Sequence, residues 1–128
     1  MKDLKLSVLI QKTQKEVFEF TTNQNNTPLW IDSVVKEEAD SVPIKIGTEF
    51  RNYDTEGNCN HYVVTTYDPN SQFQLDALHQ DYKDRYTYRA VSETETELEY
   101  YEWSESGQLH APFMQEILDK LKAVMEAD

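Results

Sequence analysis

Tyr82-Lys83-Asp84-Arg85-Tyr86-Thr87-Tyr88-Arg89-Ala90-Val91 is the stretch on which the fold turns. Successive side chains of a strand point to opposite faces. Tyr82, Asp84, Tyr86, Tyr88 and Ala90 therefore share one face, and Lys83, Arg85, Thr87, Arg89 and Val91 share the other. The basic row belongs in water. The tyrosine row must then look into the protein, and Asp84 goes in with it.

The next strand downstream, Thr96 to Trp103, is bound to this one by a short connection. A two-residue turn would place Tyr101 opposite Tyr86 and Trp103 opposite Asp84. A three-residue turn, Glu93 to Glu95, would place Tyr100 opposite Tyr88 and Glu102 opposite Tyr86. The second is preferred, because it puts Leu98 inside and leaves Glu97 and Glu99 in water. A slip of one residue would invert every assignment on the strand.

Upstream, turn signals recur every 8–12 residues, as an antiparallel sheet requires. Thr48 to Tyr53, Cys59 to Tyr67 and Phe73 to Leu78 read as strands, separated by Asp54 to Gly57, by Asp68-Pro69-Asn70-Ser71 and by His79 to Asp81. Phe50 faces inward with Thr48 and Asn52, as do Phe73, Leu75 and Ala77. Around His61 two rows compete for the interior: Cys59, His61, Val63 and Thr65 against Tyr62, Val64 and Thr66. Further back, Val34 and Val35 begin a strand, and Asp40 to Gly47 is a loop. Leu4, Leu6, Val8 and Ile10 alternate with polar residues as a half-buried first strand. Thr13 and Glu16 make a capping box for a helix ending near Asn23. Pro28 suits the first position of a second short helix holding Leu29, Trp30 and Ile31. At the other end Gly107 breaks the sheet. Pro112 opens a helix to about Ala127, with Phe113, Met114, Ile117, Leu118, Leu121, Val124 and Met125 on one broad apolar stripe.

The order is one strand, two short helices, six strands and a long amphipathic helix, an α+β arrangement. The segments Leu6 to Trp30 (LSVLIQKTQKEVFEFTTNQNNTPLW), Ile44 to Asn52 (IKIGTEFRN) and Thr96 to Trp103 (TELEYYEW) carry a likeness. Across essentially the whole chain the sequence resembles the SRPBCC superfamily, which includes START-type lipid-transfer domains, polyketide cyclases and pollen-allergen-like proteins. The resemblance implies a single helix-grip domain over residues 1–128, with a cavity between a curved sheet and the C-terminal helix. It supplies no catalytic set, since the superfamily has none in common, and a fold alone does not assign function.

Composition narrows the classes. The formal charge of −12, from 24 acidic and 12 basic side chains, repels phosphate backbones and anionic headgroups. Nucleic acid is thus excluded as a partner. No G-x-x-x-x-G-K-[ST] or G-x-G-x-x-G occurs. No run approaches the roughly 20 apolar residues of a membrane span. The single cysteine, Cys59, and the charged, short N-terminal apolar stretch suit a cytoplasmic protein. Cys59 and His61 share a strand face, with His79 and His110 elsewhere. That is too few ligands for zinc and lacks an orienting third group for a nucleophile, so neither a metal nor a cofactor is expected.

Eight tyrosines in a chain of 128 residues point to an interior that is partly polar, because each buried hydroxyl needs a partner. The expected ligand wall comprises Trp30, Phe50, Phe73, Leu75, Tyr86, Tyr88, Tyr100, Glu102, Ile117 and Leu121. The expected function is binding or transport of a small hydrophobic molecule with a polar group, by a monomer or weak homodimer. Apolar burial would supply about 25 cal/mol per Å². A simple binder would show a continuous cavity with no convergent, perturbed carboxylates. Two alternatives are carried. A cyclase- or dehydratase-like enzyme would use Glu102 and Tyr86 or Asp84, with Glu102 or Asp84 inside the pocket near a donor. A protein-interaction domain resembling the chaperone activators would show a filled interior and an exposed apolar patch near Tyr101 and Trp103.

Overall fold

The computed structural model describes residues 1–109 and 112–127. It has β1 (Lys2–Ile10), α1 (Gln14–Thr22), α2 (Thr27–Trp30), β2 (Lys36–Ala39), β3 (Glu49–Tyr53), β4 (Cys59–Asp68), β5 (Gln72–Ala77), β6 (Lys83–Ser92), β7 (Glu95–Ser104) and α3 (Gln115–Glu126). The strands form one antiparallel sheet in the order β1-β7-β6-β5-β4-β3-β2. This is the expected α+β helix-grip architecture, with the closing helix packed on the sheet.

Local chemistry accounts for the elements. Thr13 and Glu16 cap α1 reciprocally: the Thr13 hydroxyl accepts from the Glu16 N–H, and the Glu16 carboxylate accepts from the Thr13 N–H, both at 3.1 Å. Pro28 sits in the first turn of α2. At Gly107 the backbone takes φ +91°, where any Cβ would be strained, and β7 has ended three residues before. Asp81, in the β5–β6 loop, accepts from the N–H groups of Glu105 and Ser106 and from the Ser104 hydroxyl, tying that loop to the segment after β7. These bonds hold its carboxyl down at about 2.

Two boundaries differ from expectation. β2 starts at Lys36, since Val34 closes a turn back onto Ile31 (N···O 3.0 Å) and Val35 only bridges to Tyr53. α3 starts at Gln115 and not at Pro112. The Phe113 N–H is directed at a Glu102 carboxylate oxygen at 3.4 Å, and the backbone at Met114 is still extended. At 1.5 Å per residue the 12-residue helix spans about 18 Å.

The register of β6 on β7 is the main correction. The inner row is the expected one: Leu98, Tyr100 and Glu102 are buried. The pairing, however, is Tyr88 with Leu98, Tyr86 with Tyr100 and Asp84 with Glu102. A two-residue turn, Glu93-Thr94, follows the Ser92–Glu95 pair, and Val91 is an extra residue between Ala90 and Ser92. This bulge restores the facing that the short turn alone would have inverted. Ala90, expected inside, is exposed at the end of the sheet. On β4 the competition is resolved by a second irregularity between Val64 and Thr66: Tyr62 and Val64 are on the inner row, and Tyr67 rejoins it opposite Phe73.

Ile10, Val17, Phe18, Tyr88, Leu98, Leu118 and Leu121 fill one end of the grip, each at most 2 % exposed. α1 packs there against β6 and β7, and α3 lies against β1.

Candidate functional site

At the other end of the grip the sheet and α2 enclose a cavity of about 390 Å³. This lies at the small end of the range for ligand pockets, roughly 300–1,000 Å³. Its apolar wall comes from Trp30, Phe50, Phe73, Leu75, Tyr86 and Phe113. The aromatic members meet edge to face: Trp30 with Tyr86 at 6.3 Å and with Phe113 at 6.2 Å, and Tyr86 with Tyr100 at 5.3 Å. Phe113 lies flatter on Tyr100, with ring centres 3.9 Å apart.

The polar side is a chain of phenols and carboxylates. The Tyr100 hydroxyl donates to Glu102 Oε1 at 2.8 Å and lies 2.7 Å from the Tyr82 hydroxyl. The Tyr82 hydroxyl is also 3.0 Å from Glu102 Oε1 and 3.3 Å from Asp84 Oδ2. Asp84 and Glu102 are cross-strand partners, so two acids share one small volume. Burial, and then the charge of Glu102, push the Asp84 carboxyl well above the ordinary carboxylate range. Burial likewise raises the hydroxyls of Tyr82, Tyr86 and Tyr100, so all three are neutral phenols. A third acid, Glu37 on β2, accepts from the Thr27 hydroxyl at 2.5 Å. Burial outweighs that bond and lifts Glu37 to about 7.

Two buried polar atoms on this wall have no hydrogen-bond partner in the protein: Asp84 Oδ1 and Trp30 Nε1. Orphaned groups of this kind are uncommon in native interiors and call for an explanation. Among the described residues no Lys, Arg or His lines the cavity.

Seven residues of the expected wall come together here with Asp84: Trp30, Phe50, Phe73, Leu75, Tyr86, Tyr100 and Glu102. Tyr88, Ile117 and Leu121 do not. The Tyr88 hydroxyl is bonded to Thr21 Oγ1 at 2.6 Å, and its ring packs on Phe18 at 5.1 Å, in the filled end. Leu121 is fully buried in the same packing, and Ile117 is half-buried against it. Because α3 starts late, its stripe closes the filled end, and Phe113 alone of the stripe lines the cavity. Met114, expected on the inward stripe, is exposed.

Glu37, Asp54, Tyr62, Tyr82 and Phe113 are among the lining residues beyond the expected set. Ala39, inward two residues after Glu37, was the available signal for Glu37. Tyr82 was already on the inner row.

Cys59 and His61 are not part of the site. Cys59 is exposed, and His61 Nε2 lies 2.6 Å from Glu49 Oε1, away from the cavity. His79 stands 5.8 Å from the His61 ring, and His110 lies outside the described residues. Among the described residues no three His, Cys, Asp or Glu are grouped to hold a metal ion. No described helix is long and apolar enough to cross a membrane.

Known structures give the class. The Aha1 dimer from Colwellia psychrerythraea superposes with a TM-score of 0.65 at 11% identity, over 98% of this chain and 90% of that one. The aromatase/cyclase BexL, a di-domain protein from the BE-7585A biosynthetic pathway, gives 0.65 at 12% identity, over 81% of this chain and 36% of that one. Norcoclaurine synthase from Thalictrum flavum, in complex with dopamine and hydroxybenzaldehyde, gives 0.63 at 8% identity, over 79% and 67%. No family model and no curated protein matches the sequence. The chain has the helix-grip fold. At these identities the likeness establishes the fold and nothing finer.

Proposed function

We propose that this protein binds a small, largely apolar molecule with a polar group in the cavity beneath α2. The observation that carries the reading is the two-sided lining: an aromatic wall of Trp30, Phe73, Tyr86 and Phe113 faces a hydrogen-bonding row of Tyr82, Asp84, Tyr100 and Glu102. Apolar burial would drive entry at about 25 cal/mol per Å², and the polar row would orient the ligand. Norcoclaurine synthase, of the same fold, holds two small aromatic molecules in its complex, which fits a pocket of this size and character. The protein would act in the cytoplasm, as one helix-grip domain, monomeric or weakly dimeric. Native mass spectrometry of protein purified from its source tests the reading. The expected result is a discrete bound mass that is lost in Leu75→Trp, where the larger side chain fills the cavity. Protein that carries no small molecule and takes up none from a library of aromatic compounds would end it.

A second reading has a specific observation behind it. Asp84, raised and opposite Glu102, stands beside the Tyr82 hydroxyl as a general acid on a bound carbonyl compound would. A carboxylate in the pocket near a donor supports a cyclase- or dehydratase-like enzyme, and the convergence of Asp84 with Glu102 counts against a plain apolar carrier, which was expected to lack such a pair. Turnover of a bound ligand by the wild type and its loss in Asp84→Asn would favour that reading over simple carriage. The interaction-domain alternative has less support. Trp103 is only 9 % exposed, with Tyr101 stacked on it at 4.9 Å and Arg85 lying 5.1 Å over its ring, so no open apolar patch lies there.

A further inference from the structure

We infer that the ligand's polar group is an organic cation, a protonated amine carried on an apolar body, and that Asp84 is its counter-ion. The inference rests on the binding reading above and adds the charge of the occupant.

The first argument is a count of protons. Around the inner end of the row stand two phenol hydroxyls, Tyr82 and Tyr100, and two carboxyl groups, Asp84 and Glu102. Each phenol has one proton to give, and the Asp84 carboxyl, raised by burial and by Glu102, keeps its own until a cation displaces it. Tyr100 gives its proton to Glu102 Oε1 at 2.8 Å, because the Tyr82 hydroxyl 2.7 Å away can itself donate. Tyr82 then has one proton for Tyr100, Glu102 and Asp84 together. The Phe113 N–H reaches only the other oxygen of Glu102. Asp84 is left with one long bond on Oδ2 and none on Oδ1, although its side chain is 8 % exposed and on the cavity wall. Asp84 Oδ1 stays unpartnered, and a cation that neutralises the Asp84–Glu102 pair would bring the donors it lacks. A primary ammonium brings three.

The second argument is charge. Glu37, Asp54, Asp84 and Glu102 line the cavity with no basic side chain among the described residues. Low-dielectric walls focus the field of such a set, and the net charge of −12 acts in the same sense. An anionic head would find acids and no cation to receive it. Burial first, and the Glu102 charge second, hold the Asp84 carboxyl above the ordinary range, so a cation placed there is what would let it ionise. A metal ion is the other cation to weigh, and among the described residues the acids are not grouped to ligate one. An organic cation fits better, because the faces of Trp30, Tyr86 and Phe73 can hold its apolar body and stabilise the charge itself.

The test is titration calorimetry with three probes of one shape: 2-phenylethylamine, 2-phenylethanol and 3-phenylpropanoate, on wild type, Asp84→Asn and Glu102→Gln. The inference expects the amine to bind at least tenfold more tightly than the alcohol, and the propanoate to bind more weakly than either. Asp84→Asn should remove most of the amine's advantage over the alcohol; Glu102→Gln should weaken the amine less. Asp84→Asn swaps a side chain for one of equal shape and lifts a repulsion, so it is expected to fold, and an unfolding midpoint no lower than the wild type's certifies that it has. Alcohol or propanoate binding as tightly as the amine would overturn the cation assignment and leave the binding reading standing. An amine advantage that survives both substitutions would overturn the role of Asp84. No binding by any of the three would overturn both readings together.

Discussion

The two ends of the grip are built from the same strands and could hardly differ more. At one end β6 and β7 present Tyr88 and Leu98 to α1 and α3, every side chain is packed, and the Tyr88 hydroxyl has its Thr21 partner. Four residues along the same strands, the pair is Asp84 and Glu102, and the wall holds unpaired polar atoms at Asp84 and Trp30. The filled end supplies stability. The cavity end is costly to it, because buried carboxyl groups without full partners disfavour the folded state. A costly arrangement of this sort is what a ligand site looks like before the ligand's own groups complete it.

The comparison can be broken from either side. Leu118→Ala in the filled end should cost about 3 kcal/mol, the usual range for a fully buried leucine being 2–5, measured by urea unfolding. The next effect is on the pH profile. Glu37 titrates at about 7 in the folded protein against an ordinary 4.5, so the stability it contributes is fully present below pH 4.5 and is lost as pH rises through 7. Unfolding at pH 5 and pH 8 should show the protein weaker at pH 8, and Glu37→Gln should remove on the order of 2 kcal/mol of that difference. Asp84→Asn should stabilise the apo protein at pH 8 by about 1–2 kcal/mol, the sign opposite to that of a core polar substitution in the filled end. Tyr88→Phe, which removes the bond to Thr21 in the filled end while Thr21 keeps its own bond to the Val17 carbonyl, should cost about 1 kcal/mol.

Much of this division was legible in the residues. The alternation from Tyr82 to Tyr88 placed Asp84 inside, and Leu98 fixed which face of β7 was wet. The pairing of Asp84 with Glu102 was not legible, because a bulged residue at Val91 and a three-residue turn put the same face inward while differing by two in register. Glu37 was hidden by its neighbour: in Lys36-Glu37-Glu38-Ala39 only the alanine tells which glutamate turns in. The apolar stripe of α3 looked uniform in sequence, so Ile117 and Leu121 were placed on the cavity with it. What separates them from Phe113 is that Phe113 lies ahead of the helix, its ring on Tyr100 and its N–H directed at Glu102. A contact across 11 residues leaves no mark in a helical periodicity.

The chain has two tryptophans, one on each side of the sheet: Trp30 lines the cavity with its indole N–H unpaired, and Trp103 lies on the outer face under Arg85. Their indole N–H resonances in a proton–nitrogen correlation spectrum, followed through a titration with 2-phenylethylamine, put the account to its most direct test. The Trp30 signal should move saturably while the Trp103 signal stays in place. A Trp30 signal that never moves, or a Trp103 signal that moves in its stead, would mean that small molecules do not enter beneath α2.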